Sequence, residues 1–116
     1  MDLTDFWNPS VERCGFVLKS GEAVEVINTH EDTQQGFRIN PQDILKYEDQ
    51  VIATWHTHPK TSLNLSTADL NCFLAWPEWF HYIVYRGTIR CYYVEANRVL
   101  FHDDSDLPRL PEETLP

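Results

Sequence analysis

The sequence predicts a single α/β domain, and three observations carry this prediction. Its 116 residues suffice for one hydrophobic core but not for two. Short apolar runs typical of strands are separated by turn signals, and two helix-start signals stand between them. The apolar content of 42% and the aromatic content of 13% are typical of a folded protein rather than a disordered one.

The first elements in chain order are a short helix and a β-hairpin. Pro9-Ser10 is typical of a helix start, and roughly two or three helical turns fit before Gly15. Residues 16–19 and 23–27 are apolar runs on either side of Ser20-Gly21, which predicts two strands joined by a tight turn.

The middle of the chain predicts a loop, a short strand, a helix and a buried strand. Residues 28–36 are polar and predict the loop, and residues 37–39 predict the short strand. Asn40-Pro41 combines an N-cap residue with proline at the first helical position, so a helix begins there. Residues 51–55 form an apolar run too short for a helix, which predicts a buried strand.

The remainder predicts a second helix and a group of strands. Ser66 begins the helix and Pro77 ends it. Three further strands are predicted at residues 80–85, 89–94 and 99–101. Residues 103–116 are acidic and rich in proline, so we expect an irregular tail after a domain of residues 1–102.

Charge and cysteine content exclude several classes of function. The net charge of −9, with no cluster of Lys or Arg, disfavours binding to nucleic acid. No apolar run is long enough for a membrane span, and the acidic N-terminus is unlike a signal peptide, so we expect a cytoplasmic protein. Cys14, Cys72 and Cys91 are far apart and are expected to be buried and unpaired.

Two histidines after the predicted strand 51–55 suggest a metal site. Side chains alternate faces along a strand, so His56 and His58 lie on the same side. The H-x-H motif alone is a weak signal, but here it stands just before a loop, where chemical groups are exposed on a rigid scaffold. His30, His81 and His102 lack ligand-like spacing and are expected to be surface residues or satisfied core residues.

Ser66 and Asp69 admit two interpretations. S-x-x-D before an apolar run predicts a capping box, in which both side chains accept hydrogen bonds from backbone N–H groups. A helix start is also a rigid place for a metal ligand, so the two interpretations are compatible. Two imidazoles and one carboxylate leave a tetrahedral cation with one open position, as in catalytic rather than structural zinc sites.

This combination resembles the JAMM metallopeptidases, also known as the MPN-domain family. Their motif is H-[ST]-H-P followed at a fixed interval by S-x-x-D, and His56-Thr57-His58-Pro59, Ser66 and Asp69 match it. The family's upstream glutamate stands shortly before a glycine that leads into a strand, and Glu12 fits that place. The order of elements is similar over roughly residues 6–101 and looks most like the bacterial and phage tail-assembly branch.

The resemblance implies a fold, a cofactor and roles for named residues. The fold would be a mixed, curved β-sheet flanked by helices, similar in architecture to cytidine deaminases. One Zn²⁺ per chain would be held by His56, His58 and Asp69, with water in the fourth position. Glu12 would be the general base and then the general acid, and Ser66 would stabilise the oxyanion. Other acids that precede the histidines are Glu22, Glu25, Glu31 and Glu48.

Three functional hypotheses follow from these residues. The leading one is a zinc metallopeptidase or isopeptidase that acts on a protein or peptide, for example a phage tail protein, a ubiquitin-like protein or a cell-wall peptide. Such a protein would be cytoplasmic or associated with a virion tail. The second is a non-catalytic MPN-type module that binds partners through its acidic, aromatic surface. The third, a zinc deaminase, is disfavoured because no P-C-x-x-C segment is present.

Overall fold

The computed structural model describes residues 3–34, 36–60 and 65–102, which form a six-stranded mixed sheet with two α-helices packed against it. The elements in chain order are a 3₁₀ helix (Leu3–Phe6), β1 (Cys14–Leu18), β2 (Ala23–Val26), α1 (Pro41–Tyr47), β3 (Val51–Thr57), α2 (Thr67–Ala75), β4 (Phe80–Tyr85), β5 (Thr88–Glu95) and β6 (Arg98–Phe101). The strand order is β2-β1-β3-β4-β5-β6. Strands β3 and β4 are parallel, and the other neighbours are antiparallel. The predicted α/β class is confirmed.

The two faces of the sheet are covered by different elements. On one face, Val17, Trp55 and Tyr82 pack against the N-terminal 3₁₀ helix through Phe6. On the other face, α1 and α2 cover the strands. The core residues there include Phe16, Leu18, Val51, Phe73, Ile83 and Tyr92. Because β3 is central and covered on both faces, nearly all of its residues are buried, which explains the apolar run 51–55.

The parallel pair β3 and β4 requires a crossover, and α2 supplies it. The chain leaves β3 at Thr57, passes through a loop and enters α2 at Thr67, so the helix starts near the carboxyl end of β3. It then returns towards the start of β4 at Phe80. This topology brings the first turn of α2 close to the carboxyl end of β3, where the two histidines lie.

The predicted helix at Pro9-Ser10 is wrong. Residues 9–11 form bends, and helical structure before β1 is confined, within the described residues, to the 3₁₀ helix Leu3–Phe6. Asn8 explains the difference, because its Oδ1 accepts hydrogen bonds from the N–H groups of Ser10 (2.7 Å) and Val11 (3.3 Å). This local turn competes with a helix for the same donors.

The predicted strand at residues 37–39 is reduced to an isolated bridge between Asn28 and Ile39. The backbone N–H of Arg38 donates to Asn28 Oδ1 at 3.0 Å, so a side chain occupies the place of a ladder partner. The predicted tail, residues 103–116, lies outside the described residues. Among the residues that are described, no helix has the length and apolar character needed to cross a membrane.

Gly15 of β1 is required because there is no space for a side chain at this position, and not because the chain turns there. A Cβ atom at this position would lie 1.9 Å from the carbonyl oxygen of Val24 and 2.7 Å from the indole ring of Trp55. Trp55 is fully buried and stacks on Phe6 at 4.3 Å. Glycine therefore allows the largest fully buried side chain to pack closely against β1.

Candidate metal centre

The two histidines lie at the carboxyl end of β3, and both are buried. His56 is held by packing, since its ring stacks on the ring of Phe37 with centroids 4.2 Å apart. His58 is held through its backbone: its N–H donates to the carbonyl of Val84 (2.8 Å), and its carbonyl accepts from Trp7 Nε1 (2.9 Å). Ring packing thus fixes the His56 imidazole, and two backbone hydrogen bonds fix the position of His58.

Asp69, in the first turn of α2, contacts both imidazoles. The predicted capping box is present: Ser66 Oγ accepts from the Asp69 N–H (3.1 Å), and Asp69 Oδ2 accepts from the Ser66 N–H (3.0 Å). The same carboxylate lies 3.1 Å from His56 Nε2 through Oδ1 and 3.1 Å from His58 Nε2 through Oδ2. The helix cap therefore also fixes the carboxylate against the histidine pair.

Hydrogen bonding alone does not satisfy these three groups. His56 Nε2 and His58 Nε2 are also 3.1 Å from each other. An ionised Asp69 only accepts hydrogen bonds, so each histidine Nε2 must carry a proton to bond with it. The two Nε2–H groups are then both donors, and neither can accept a hydrogen bond from the other. A cation that accepts all three lone pairs removes this conflict. Ligands arranged tetrahedrally about 2.0–2.1 Å from zinc are roughly 3.3–3.4 Å apart, close to the observed separations. The spacing of these three residues is consistent with a site for a metal ion.

Glu12 lies beside the histidine pair and forms with it a group that could hold a metal ion. One of its carboxylate oxygens is within 4.8 Å of a ring nitrogen of both His56 and His58. The side chain is buried, and Oε1 has no hydrogen-bond partner among the described residues. A buried, unpaired carboxylate oxygen is costly, which marks this position as a site for a ligand or proton.

Long-range hydrogen bonds, rather than a helix, hold Glu12. Its N–H donates to the carbonyl of Thr33 (2.6 Å), and its carbonyl accepts from Asn28 Nδ2 (2.9 Å). The next residue, Arg13, is bonded to the end of β3: its N–H donates to Thr57 Oγ1 (2.9 Å), and its carbonyl accepts from the Thr57 N–H (2.9 Å). Thr57, the residue between the two histidines, thus connects the glutamate segment to the histidine strand.

The two carboxylates differ in their protonation. Burial raises the pKa of Glu12 to about 7, opposed by the charge of His58 and reinforced by that of Asp69. Burial would also raise the pKa of Asp69, but hydrogen bonds from His56 and His58 outweigh it and hold that pKa well below its usual range. The pKa of His56 is lowered, chiefly by burial. An ionised Asp69 and a neutral His56 are the forms that bind a metal ion.

A small cavity adjoins Asp69. Its volume is about 60 Å³, and its wall includes Ser66, Asp69, Phe37, Gly36 and His30. The hydroxyl oxygen of Ser66 accepts from the helix backbone, which leaves the hydroxyl proton to donate into this space. A larger, mostly apolar cavity of about 220 Å³ shares Phe37 with the small one.

Comparison with families of known proteins matches residues 8–96 to the prokaryotic homologs of the JAB domain. The chain belongs to this family. The match covers every residue of the candidate centre and confirms the family that the histidine motif indicated. No curated protein is significantly similar in sequence.

The fold of this JAB domain also occurs in a solved structure. The solution structure of protein DSY2949 from Desulfitobacterium hafniense superposes with a TM-score of 0.63 over 82% of this chain and 77% of that one. The two sequences are 17% identical. At this level of identity the likeness concerns the fold alone, and it agrees with the predicted MPN-like architecture.

Asn28 is a residue of this JAB domain that the sequence did not single out. Its Nδ2 donates to the carbonyls of Glu12 (2.9 Å) and Gly36 (3.0 Å), and its Oδ1 accepts from the N–H groups of His30 (3.0 Å) and Arg38 (3.0 Å). One side chain thereby connects the glutamate segment to the loop beside the cavity. Asparagine after a strand predicts the local bond to His30, but nothing local predicts the others.

The cysteines and His81 lie outside the candidate centre. Cys14, Cys72 and Cys91 are unpaired, as predicted; Cys14 and Cys91 are buried, whereas Cys72 is only partly buried and lines the small cavity beside Asp69. Burial raises the pKa of the Cys14 thiol to about 12, so it stays protonated and is a poor metal ligand. His81 is a satisfied core residue, as predicted: its ring nitrogens bond Thr54 Oγ1 (2.7 Å) and the carbonyl of Trp76 (2.9 Å).

Proposed function

We propose that this JAB domain is a zinc-dependent metallopeptidase or isopeptidase that hydrolyses an amide bond in a protein or peptide. The observation that carries the proposal is the pair of unlike carboxylates beside the two histidines. Asp69 contacts both imidazoles at 3.1 Å and its pKa is lowered, as a ligand requires. Glu12 is buried, has an unpaired oxygen and has a pKa of about 7, as a general base requires.

The residues divide the chemistry as follows. His56, His58 and Asp69 would hold zinc, and the bound ion would supply Lewis acidity, which lowers the pKa of water to about 7. Glu12, in its ionised form, would accept the proton of the attacking water. Glu12 then delivers that proton to the leaving amine. Ser66 donates its hydroxyl proton to the carbonyl oxygen as negative charge develops there.

A chelator experiment tests the reaction class. The zinc-loaded domain is incubated with a phage tail protein, a ubiquitin-like fusion and a cell-wall peptide, before and after treatment with EDTA. We expect cleavage of at least one amide substrate, its loss with EDTA and its return with added Zn²⁺. Cleavage that persists without metal contradicts the proposed chemistry. Zinc binding with no cleavage of any substrate favours the alternative, a non-catalytic binding module.

The substitution Glu12→Gln tests the assignment of the base. Glutamine keeps the size and burial of the side chain but does not accept a proton, so turnover should fall by about 10²–10⁴-fold. Zinc should still bind, because the three proposed ligands His56, His58 and Asp69 remain. The matched control is Glu22→Gln, an exposed residue in the turn between β1 and β2. Wild-type turnover in Glu12→Gln would exclude Glu12 as the base.

A further inference from the structure

His30 lies in the wall of the small cavity that contains Ser66 and Asp69. Sequence spacing alone left it without a role. The edge of its ring that carries Nε2 lies against Gly36, which lines the same cavity. A Cβ at Gly36 would be 2.9 Å from His30 Nε2, so only glycine leaves room for the ring in this position.

The hydrogen bonds of His30 determine which nitrogen carries the proton. Nδ1 accepts a hydrogen bond from the backbone N–H of Asp32 at 2.9 Å, so this nitrogen has no proton. The neutral ring therefore carries its proton on Nε2. Among the residues that the structure describes, this Nε2–H has no hydrogen-bond partner. The backbone of His30 is also held, since its N–H donates to Asn28 Oδ1 at 3.0 Å.

We propose that His30 is a substrate-binding residue whose Nε2–H donates a hydrogen bond to a backbone carbonyl oxygen of the bound peptide, an inference that rests on the proposed peptidase function. The cavity of about 60 Å³ has room for a peptide carbonyl group but not for a large side chain. A neutral donor suits this acceptor, because it orients a carbonyl without requiring a charge on the substrate. Ser66 and His30 then approach the substrate from α2 and from the loop after β2, respectively.

The substitution His30→Asn separates binding from folding. An asparagine at position 30 accepts the same N–H of Asp32 in an Asx turn, but it has no donor that reaches the place of Nε2. The matched control is His102→Asn, a histidine outside the cavity, whose ring packs against Tyr93. Urea unfolding of both variants should resemble that of the wild type, which shows that the loop is intact.

Affinity for two zinc-binding probes, measured calorimetrically on the zinc-loaded protein, tests the contact. Benzyloxycarbonyl-Gly-Gly-hydroxamate carries peptide carbonyls, whereas acetohydroxamate carries only the zinc-binding group. We expect His30→Asn to weaken the peptide probe by about five- to tenfold, as for the loss of one hydrogen bond. Acetohydroxamate should bind within twofold of wild type, and His102→Asn should change neither affinity.

Several results would overturn the role of His30. These are unchanged affinity of His30→Asn for the peptide probe, equal weakening of both probes, or no binding of the peptide probe to the wild type. A ¹H–¹⁵N spectrum showing the proton of His30 on Nδ1 in the free protein would also overturn it. The outcome is distinct from that of the peptidase proposal: selective loss of peptide-probe affinity supports His30 even if no amide is cleaved. Conversely, cleavage with unchanged probe affinity rejects only His30.

Discussion

Asn28 shows how much of this site depends on one side chain that performs no chemistry. Its amide makes hydrogen bonds to the backbone of Glu12, His30, Gly36 and Arg38. These four residues come from two segments that are far apart in sequence. Because a polar group with fully satisfied bonds resists displacement, the asparagine sets the distance between the glutamate and the cavity wall.

Replacing Asn28 by Ala should loosen this arrangement. The variant leaves the carbonyls of Glu12 and Gly36 without their donor, and we expect the free energy of unfolding to fall by about 2 kcal/mol in urea titrations. The control Thr29→Val removes a single exposed hydrogen bond to the carbonyl of Arg38 and should cost less than about 1 kcal/mol. Equal stability of Asn28→Ala and the wild type would show that the loop is held by other contacts.

At the scale of elements, the parallel unit β3–α2–β4 decides where the candidate ligands meet. The amino end of α2 presents Asp69 to the end of β3, and the carboxyl end of α2 is bonded to the sheet by His81. His81 Nε2 donates to the carbonyl of Trp76, the helix C-cap, and Nδ1 accepts from Thr54 of β3. The ring of Phe73 stacks on His81 at 4.4 Å. The helix is therefore held at both ends.

His81 should make stability depend on pH. Burial is the main cause that lowers its pKa from 6.5 to about 4. Between these values the unfolded chain binds a proton that the native protein does not, so stability falls as the pH falls through this window. In the metal-free protein, this residue alone should reduce the free energy of unfolding by about 2 kcal/mol from pH 7 to pH 5.

The matching variant is His81→Gln, which does not titrate and can still donate to the carbonyl of Trp76. It should be less stable than the wild type at pH 7 but lose less stability on acidification, as measured by urea midpoints. Comparing how steeply the stability of each protein changes with pH cancels the contribution of other groups. Glu12 is one of these: its raised pKa of about 7 makes stability rise as the pH falls, opposite to the effect of His81. If the stability of both proteins depends equally on pH, His81 is not a cause of that dependence.

At the scale of the whole molecule, the candidate centre joins three segments: the residues before β1, the end of β3 and the start of α2. The fold holds these segments together and buries Glu12 Oε1 and His56 Nδ1 without hydrogen-bond partners among the described residues. Such groups lower the stability of the native state. A ligand that binds the native arrangement and not the unfolded chain stabilises the entire domain.

Zinc should therefore raise the temperature of unfolding. At free zinc about 100 times the dissociation constant, the gain is about 2.7 kcal/mol, or roughly 10 °C for a domain of this size. The substitution Asp69→Asn keeps an oxygen for the capping bond from Ser66 but removes the charge, so the thermal shift should be largely lost. Glu12→Gln should keep the shift. If zinc does not change the unfolding temperature of the wild type, the proposed metal centre is contradicted.

Local features of the chain predicted much of the fold. The hairpin, α1, β3, α2 and the last three strands follow from turn residues, helix caps and apolar runs, because these signals act between near neighbours. The helix predicted at Pro9-Ser10 was wrong because another local signal competes with it. The side chain of Asn8 accepts hydrogen bonds from the next residues and forms a turn there. The strand predicted at 37–39 is absent because the backbone N–H of Arg38 bonds to the side chain of Asn28 instead of to a neighbouring strand.

The sequence by itself determined the family and the α/β class, and it predicted a metal site at the histidine pair, because H-x-H-P and S-x-x-D are short-range patterns with fixed spacing. Only the tertiary structure decided that Asp69 contacts both imidazoles, that Glu12 is buried with an unpaired oxygen, and that Asn28 and His30 lie beside them. These contacts join residues far apart in the chain, so they depend on the pairing of β1 with β3 and on the crossover through α2. Burial, which sets the pKa of Glu12, likewise exists only once the sheet is covered.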